Sequence, residues 1–261
     1  MENVKKRRIM LTVAYDGTAY CGWQIQPNGN TIEAELIKAL EELLQHPVKL
    51  IGASRTDAGV HAEGNVAVFD TTVRMPASRI AFALNTYLPS DIRIQESKEV
   101  PATFHPRYCN TQKTYVYRIL NRQIPDPCRR LYAFFYYRPL NETAMQAAAD
   151  YLVGTHDFTS FATHKPEITN HVRTIESLDV TREGDLITIR ITGNGFLYNM
   201  VRIIAGTLIR VGTGDLSPAK MPAILAAKDR FASAETARPE GLTLVRIAYP
   251  DGDDQMEQGG N

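Results

Sequence analysis

The chain has 261 residues, 44% of them hydrophobic and 22% charged, with 29 basic and 29 acidic side chains. That length can bury a large core in one domain or in two of ordinary size, and the composition is that of a soluble globular protein. Cys21, Cys109 and Cys128 lie far apart with no C-x-x-C spacing, which argues against a disulfide framework or a cysteine-rich zinc site and suits a reducing cytosol.

The chain opens on a basic cluster, Lys5-Lys6-Arg7-Arg8, and a short apolar run from Ile9 to Ala14. That run is too brief for a signal-peptide core or a membrane span, so a cytoplasmic protein without a membrane anchor is expected. At the other end Asp251, Asp253, Asp254 and Glu257 sit in a Gly/Gln-rich stretch, and residues 251–261 read as an acidic disordered tail. Setting those four acids aside leaves 29 basic against 25 acidic residues, about +4. This mild excess permits an RNA partner without demonstrating one.

Arg8–Tyr15 reads as a strand ending at the turn signal Asp16-Gly17. Thr31 is the expected N-cap of a helix to about Gln45, with Ile32, Leu36, Leu40, Leu43 and Leu44 on one face. Val48–Ala53 is expected as a strand, followed by a loop and a second strand over Asn65–Thr71. A helix over Ala77–Thr86, stopped before Pro89, and a strand over Ile92–Glu96 complete the order βαββαβ of a ferredoxin-like split unit. The second half repeats that order less cleanly. Thr114–Leu120 and Ala133–Tyr137 read as strands, Glu142–Tyr151 as a helix, and Val172–Val180 with Leu186–Thr192 as a hairpin around Glu183-Gly184. A long amphipathic helix is expected from Phe196, carrying Leu197, Met200, Val201, Ile204, Leu208 and Val211, and Leu242–Tyr249 as a final strand. The fold class is therefore α+β, with an N-terminal half over 1–105 and a C-terminal half over 106–250. The element order suggests two related ferredoxin-like, RRM-like βαββαβ halves with antiparallel sheets.

The stretch most informative about chemistry is Gly52–Ala62. Arg55, Thr56, Asp57, Gly59 and His61 crowd one loop after a strand, where scaffolds place reactive groups. A carboxylate beside an arginine stays ionised, because the positive charge favours the charged form. The competing reading is a structural Asp that caps a turn, with Arg55 as a surface partner. On the residues alone the loop points only weakly to a carboxylate enzyme.

The segment Gly52-Ala53-Ser54-Arg55-Thr56-Asp57-Ala58-Gly59-Val60-His61-Ala62 resembles the active-site motif of the tRNA pseudouridine synthase A family, with Ser54 where that family has glycine. Further blocks are similar in order and spacing. They are Tyr15-Asp16-Gly17 with Gly22-Trp23-Gln24-Ile25-Gln26, Lys113-Thr114-Tyr115-Val116-Tyr117, Val172-Arg173-Thr174-Ile175, and Gly195-Phe196-Leu197-Tyr198-Asn199-Met200-Val201-Arg202. The closing block Thr236-Ala237-Arg238-Pro239-Glu240-Gly241-Leu242 carries Arg238 where proline is usual.

The resemblance implies that Asp57 is the catalytic carboxylate, that Tyr115 stacks on the target uracil, and that Arg55 and Arg202 bind at the substrate site, Arg202 matching the arginine that pairs with the aspartate. With the resemblance, the two antiparallel sheets are expected to meet over a central RNA-binding cleft, and a homodimer acting on the anticodon arm of tRNA, at uridines 38 to 40, is implied. Isomerising uridine moves no electrons and needs no second substrate, so no cofactor and no metal are expected. The carboxylate could act at C1′ of the sugar or at C6 of the base. Each assignment has a competitor: Tyr115 as a core strand residue, Arg202 as an exposed helix arginine, Trp23 as packing rather than an RNA face, His61 as a brace. Lys5, Lys6, Arg7, Arg8, Arg129 and Arg130 are candidate phosphate contacts. A non-enzymatic RNA binder and a glycoside or nucleoside hydrolase are the rival classes, the latter needing a second carboxylate that the motif lacks.

Overall fold

A computed structural model describes residues 6–250. Lys5 and the expected tail at 251–261 lie outside the described residues. The chain divides into two compact units. The first is the chain up to Thr111 together with the part from Leu244, and the second is Gln112–Thr243.

In the first unit β1 (Arg7–Tyr15), α1 (Ile32–Leu44), β2 (Ile51–Gly52), β3 (His61–Thr71), α2 (Ala77–Leu84) and β4 (Ile92–Val100) follow one another. Strand β1 lies between β3 and β4 and is antiparallel to both. Strand β2 pairs with β3, and β10 (Leu242–Ala248) flanks β3 as well. The alternation of β1 sends Ile9, Leu11, Val13 and Tyr15 to one buried face. Thr31 is the N-cap of α1, its hydroxyl accepting from Ala34 N at 3.3 Å, and Gln45 ends the helix in the left-handed region at φ 58°. Of the expected apolar stripe Ile32, Leu36, Leu40 and Leu44 are buried, while Leu43 is half-buried. Helix α2 is stitched to β4. Ser97 Oγ accepts from Ala81 N at 2.8 Å, and Asn85 exchanges a pair of bonds with the backbone of Ile94.

The second unit holds β5 (Gln112–Asn121), β6 (Phe134–Tyr136), α3 (Glu142–Ala149), β7 (Gly154–Asp157), β8 (Val172–Glu183), β9 (Leu186–Gly193), α4 (Met200–Gly212) and α5 (Met221–Ala227). Its sheet runs β5-β9-β8-β7, with β6 parallel to β5 on the side. The β8–β9 hairpin turns through Gly184-Asp185, with Gly184 at φ 57°, a conformation that glycine adopts at little cost. Helix α3 is bonded to β8 through Gln146, which donates to Leu178 O at 3.1 Å and accepts from Val180 N at 2.6 Å. Asn121 ties the end of β5 to the chain after β6, donating to Tyr136 O and Arg138 O and accepting from Leu140 N.

Several expected boundaries move. The strand expected over Val48–Ala53 pairs only at Ile51 and Gly52, opposite Val68 and Ala67. Strand β3 begins at His61, so His61 and Ala62 belong to a strand and not to the loop. Helix α4 begins at Met200 rather than near Phe196, because Asn199 stands at φ 62° and cannot continue a right-handed helix. Strand β7 and helix α5 lie in stretches with no expected element. Among the described residues no helix is long and apolar enough to cross a membrane.

Candidate functional site

The Asp57 loop is a short bridge from β2 to β3, and its shape is fixed by bonds to neighbouring segments of the first unit. It leaves the sheet at Ala53, whose N–H donates to Val66 O at 2.7 Å. Asn65 then works from β3. Its Nδ2 donates to Ser54 O at 3.0 Å and to the Tyr15 hydroxyl at 3.2 Å, while Tyr15 and Thr56 share a 2.7 Å hydroxyl bond. Ser54, Thr56 and Asn65 are all buried, and buried polar groups bonded in this way hold one geometry. Asp57 opens a tight turn through its backbone, Val60 N donating to Asp57 O at 3.2 Å. The outcome is a loop that buries its even-numbered threonine and serine and leaves Arg55 exposed and Asp57 half-buried.

A second segment, residues 16–23, clamps the loop from outside. Trp23 N donates to Thr56 O at 3.0 Å and Gly59 N to Tyr20 O at 3.3 Å. The approach is so close that side chains are excluded. A Cβ on Gly22, itself at φ 91°, would lie 2.7 Å from Thr56 O, and one on Gly17 would lie 2.0 Å from Val60 O. Trp23 is 1% exposed, with its indole against Gly52 and 5.9 Å from the Tyr15 ring. It is a packing residue, which corrects the RNA-facing alternative. His61 is buried too, its Nδ1 3.1 Å from both Gly17 N and Asp16 Oδ1, so it braces the clamp.

Ser54, the departure from the family's glycine, does not have positive φ, so an L-residue fits there without strain. Arg238, the departure from proline, has φ −63° and ψ 149°, a conformation that proline itself imposes. Both substitutions preserve the local backbone.

In the second unit Tyr115 lies on β5 opposite Ile191, 8% exposed, with the Phe196 ring edge-on at 5.3 Å. Tyr117, two residues on, is fully buried and donates to Arg238 O at 2.8 Å, and Gly241 packs so closely on its ring that a Cβ would lie 2.7 Å away. Burial raises the pKa of the Tyr117 phenol, keeping it a donor. Tyr117 is thus a structural anchor. Arg202 stands in the first turn of α4, half-buried, where Nε donates to Ala237 O at 2.8 Å and Nη1 to Asn199 Oδ1 at 3.2 Å. Ala237 N returns a bond to Arg202 O at 3.1 Å. Gly206, one turn on, lets this segment approach, since a Cβ there would meet Glu235 O at 2.1 Å. An exposed helix arginine lying over apolar neighbours is not what is found.

The structure brings Arg55 and Asp57 together on one loop and gives Tyr115 and Arg202 separate, braced settings in the second unit. The expected basic phosphate contacts fare unevenly. Arg8 is paired to Asp70 at 2.7 Å, and Arg7 to Glu99 at 2.9 Å, both with mostly covered side chains. Lys6 and Arg129 remain largely exposed. Sequence reasoning missed the bracing work of Asn65, since an asparagine inside a strand carries no pattern of its own.

A family model described as tRNA pseudouridine synthase matches residues 11–109 and 148–250. The chain is 51% identical to the tRNA pseudouridine synthase A of an Exiguobacterium species over 93% of its own length and 98% of that protein. It is 46% identical to that of a Thermoanaerobacter species, over 93% of this chain and 100% of the other. With that of Bacillus subtilis it shares 44% identity, over 93% of this chain and 99% of the other. The matches to these relatives span nearly the whole of each protein, and the segments matched by the family model include the Asp57 loop and Arg202 but not Tyr115. The chain belongs to the tRNA pseudouridine synthase family.

Proposed function

We propose that this chain converts uridine to pseudouridine in tRNA, at positions 38, 39 and 40 of the anticodon arm. In this reading Asp57 is the catalytic carboxylate, and Tyr115, Arg55 and Arg202 bind the substrate. The observation that carries it is the setting of Asp57: a half-buried carboxylate on a loop whose Ser54 carbonyl and Thr56 hydroxyl are held by Asn65 and Tyr15, with an exposed arginine on the same loop. A reacting group needs that fixity, because a small misplacement costs rate steeply.

The reaction breaks the N1–C1′ bond, turns the base and forms a C5–C1′ bond. Atoms and electrons are conserved, so the protein supplies position and charge and needs no cofactor. The target nucleotide must leave its stack, and an aromatic face can hold it once flipped. Tyr115 suits this role better than Tyr117, whose hydroxyl and ring are committed to Arg238 and Gly241. A guanidinium fork can orient a carboxylate or a phosphate bidentately, which Arg55 can do from its exposed position. Asp57 acts by attack at C1′ or at C6 of the base; either course needs the ionised carboxylate.

We also read the two units as related ferredoxin-like halves. Supporting this, β1 sits between β3 and β4 while β2 flanks β3, and in the second unit β9 sits between β5 and β8. The protein is read as a cytoplasmic homodimer. The test is to incubate it with an unmodified tRNA transcript and map pseudouridine by position. Pseudouridine confined to 38–40 is expected; its absence, or its appearance only outside the anticodon arm, would refute the reading.

A further inference from the structure

We infer that Asn199 is a positioning residue for the guanidinium of Arg202. Asn199 occupies the N-cap of α4, yet it departs from how such residues behave. An N-cap asparagine normally has extended backbone and turns its side chain onto the N–H groups of the first turn. Asn199 instead has φ 62° and ψ 3°, and its side chain makes no cap bond. Two local preferences are given up at one residue. Such departures persist where other contacts impose them, and they concentrate at functional sites.

The side chain is engaged elsewhere. Asn199 Oδ1 accepts from Arg202 Nη1 at 3.2 Å, and Nδ2 donates to Thr163 Oγ1 at 3.0 Å. Thr163 is held in turn by its N–H, which donates to Tyr198 O at 3.1 Å. The guanidinium is therefore gripped from two sides, by Ala237 O at Nε and by the Asn199 amide at Nη1. A planar fork held at two of its nitrogens keeps one orientation before substrate arrives. Preorganisation of this kind acts on the chemical step more than on binding. A residue that merely started the helix would use its side chain on the helix.

The inference rests on the proposed service of Arg202 at the substrate site, and the experiment separates the two. Asn199→Gly deletes the amide while suiting the left-handed backbone, so the variant should fold with an unchanged or raised melting temperature. Asn199→Asp keeps an acceptor for Arg202, and the Thr163 hydroxyl can donate to its second oxygen. Each is measured alone, and the glycine variant also with Arg202→Gln, for tRNA affinity by filter binding and for single-turnover release of tritium from tRNA labelled at uracil C5. Expected are a loss of about tenfold in the rate of Asn199→Gly with unchanged affinity, near-recovery in Asn199→Asp, and a double variant no slower than Arg202→Gln. A full rate in Asn199→Gly beside an impaired Arg202→Gln, or losses that multiply in the double variant, would overturn the inference alone. A full rate in Arg202→Gln would overturn the role of Arg202 and the inference with it.

Discussion

The roles of single side chains follow from what each is already bonded to. Tyr115 and Tyr117 point to the same side of β5, and composition cannot tell them apart. The structure separates them, because Tyr117 is anchored through its hydroxyl while the ring of Tyr115 meets Phe196 edge-on. If the Tyr115 ring carries the flipped base, Tyr115→Phe keeps most tRNA affinity while Tyr115→Ala loses about 1–3 kcal/mol. Filter binding of folded variants checks this, and equal behaviour of Phe and Ala would make Tyr115 an ordinary core residue. Gly22 is a second case. Alanine there must adopt φ 91° and push on Thr56 O, the backbone next to Asp57. Gly214, at φ 80° with nothing within 4 Å of an added Cβ, is the matched control. Both alanine variants should lose about 1 kcal/mol or more from strained backbone, but only Gly22→Ala should also slow turnover. Equal turnover in the two would mean that the clamp does not shape the catalytic loop.

At the scale of elements, legibility followed length and periodicity. Helix α1 was readable from Thr31 and its stripe, and the β8–β9 hairpin from its turn glycine, since caps and turns are local chemistry. Helix α4 was misjudged at its start because apolar spacing runs on through Leu197, while the left-handed Asn199 that breaks the helix leaves no trace in that spacing. Strand β2 shrank to two residues because pairing is decided by its partner β3 and not by its own composition. Strand β7 and helix α5 are too short for any period to be read. Strand β7 nonetheless carries a testable feature at its end. The Asp157 carboxylate, accepting from the Thr159 hydroxyl and facing Lys228 at 2.9 Å, is held down at about 2. A depressed carboxylate stabilises the fold above its unfolded pKa, and that contribution is lost as pH falls from near 4 towards 2. Asp157→Asn should therefore be less stable than the parent at pH 6, and the gap should close by pH 2 in urea titrations. A gap independent of pH would show that the carboxylate's charge is not what stabilises this turn.

For the molecule as a whole, the candidate loop stood out in the sequence because its residues form one contiguous motif, and family membership extends over nearly the full chain. How the loop is held was not legible, since Tyr15, Trp23 and Asn65 reach it from other segments. Light scattering in dilute solution should give about twice the 29.2 kDa chain mass; a monomer that modifies tRNA would refute the proposed dimer. The proposed reaction stands or falls with the Asp57 carboxylate. Asp57→Asn keeps the size of the side chain and its capacity to cap a turn, since asparagine caps about as well as aspartate, but removes its charge. The measurement is single-turnover tritium release from tRNA labelled at uracil C5, with filter binding on the same preparations. Expected is a folded variant that binds tRNA like the parent and releases no detectable tritium. Release at near the parental rate would show that the chemistry does not pass through Asp57.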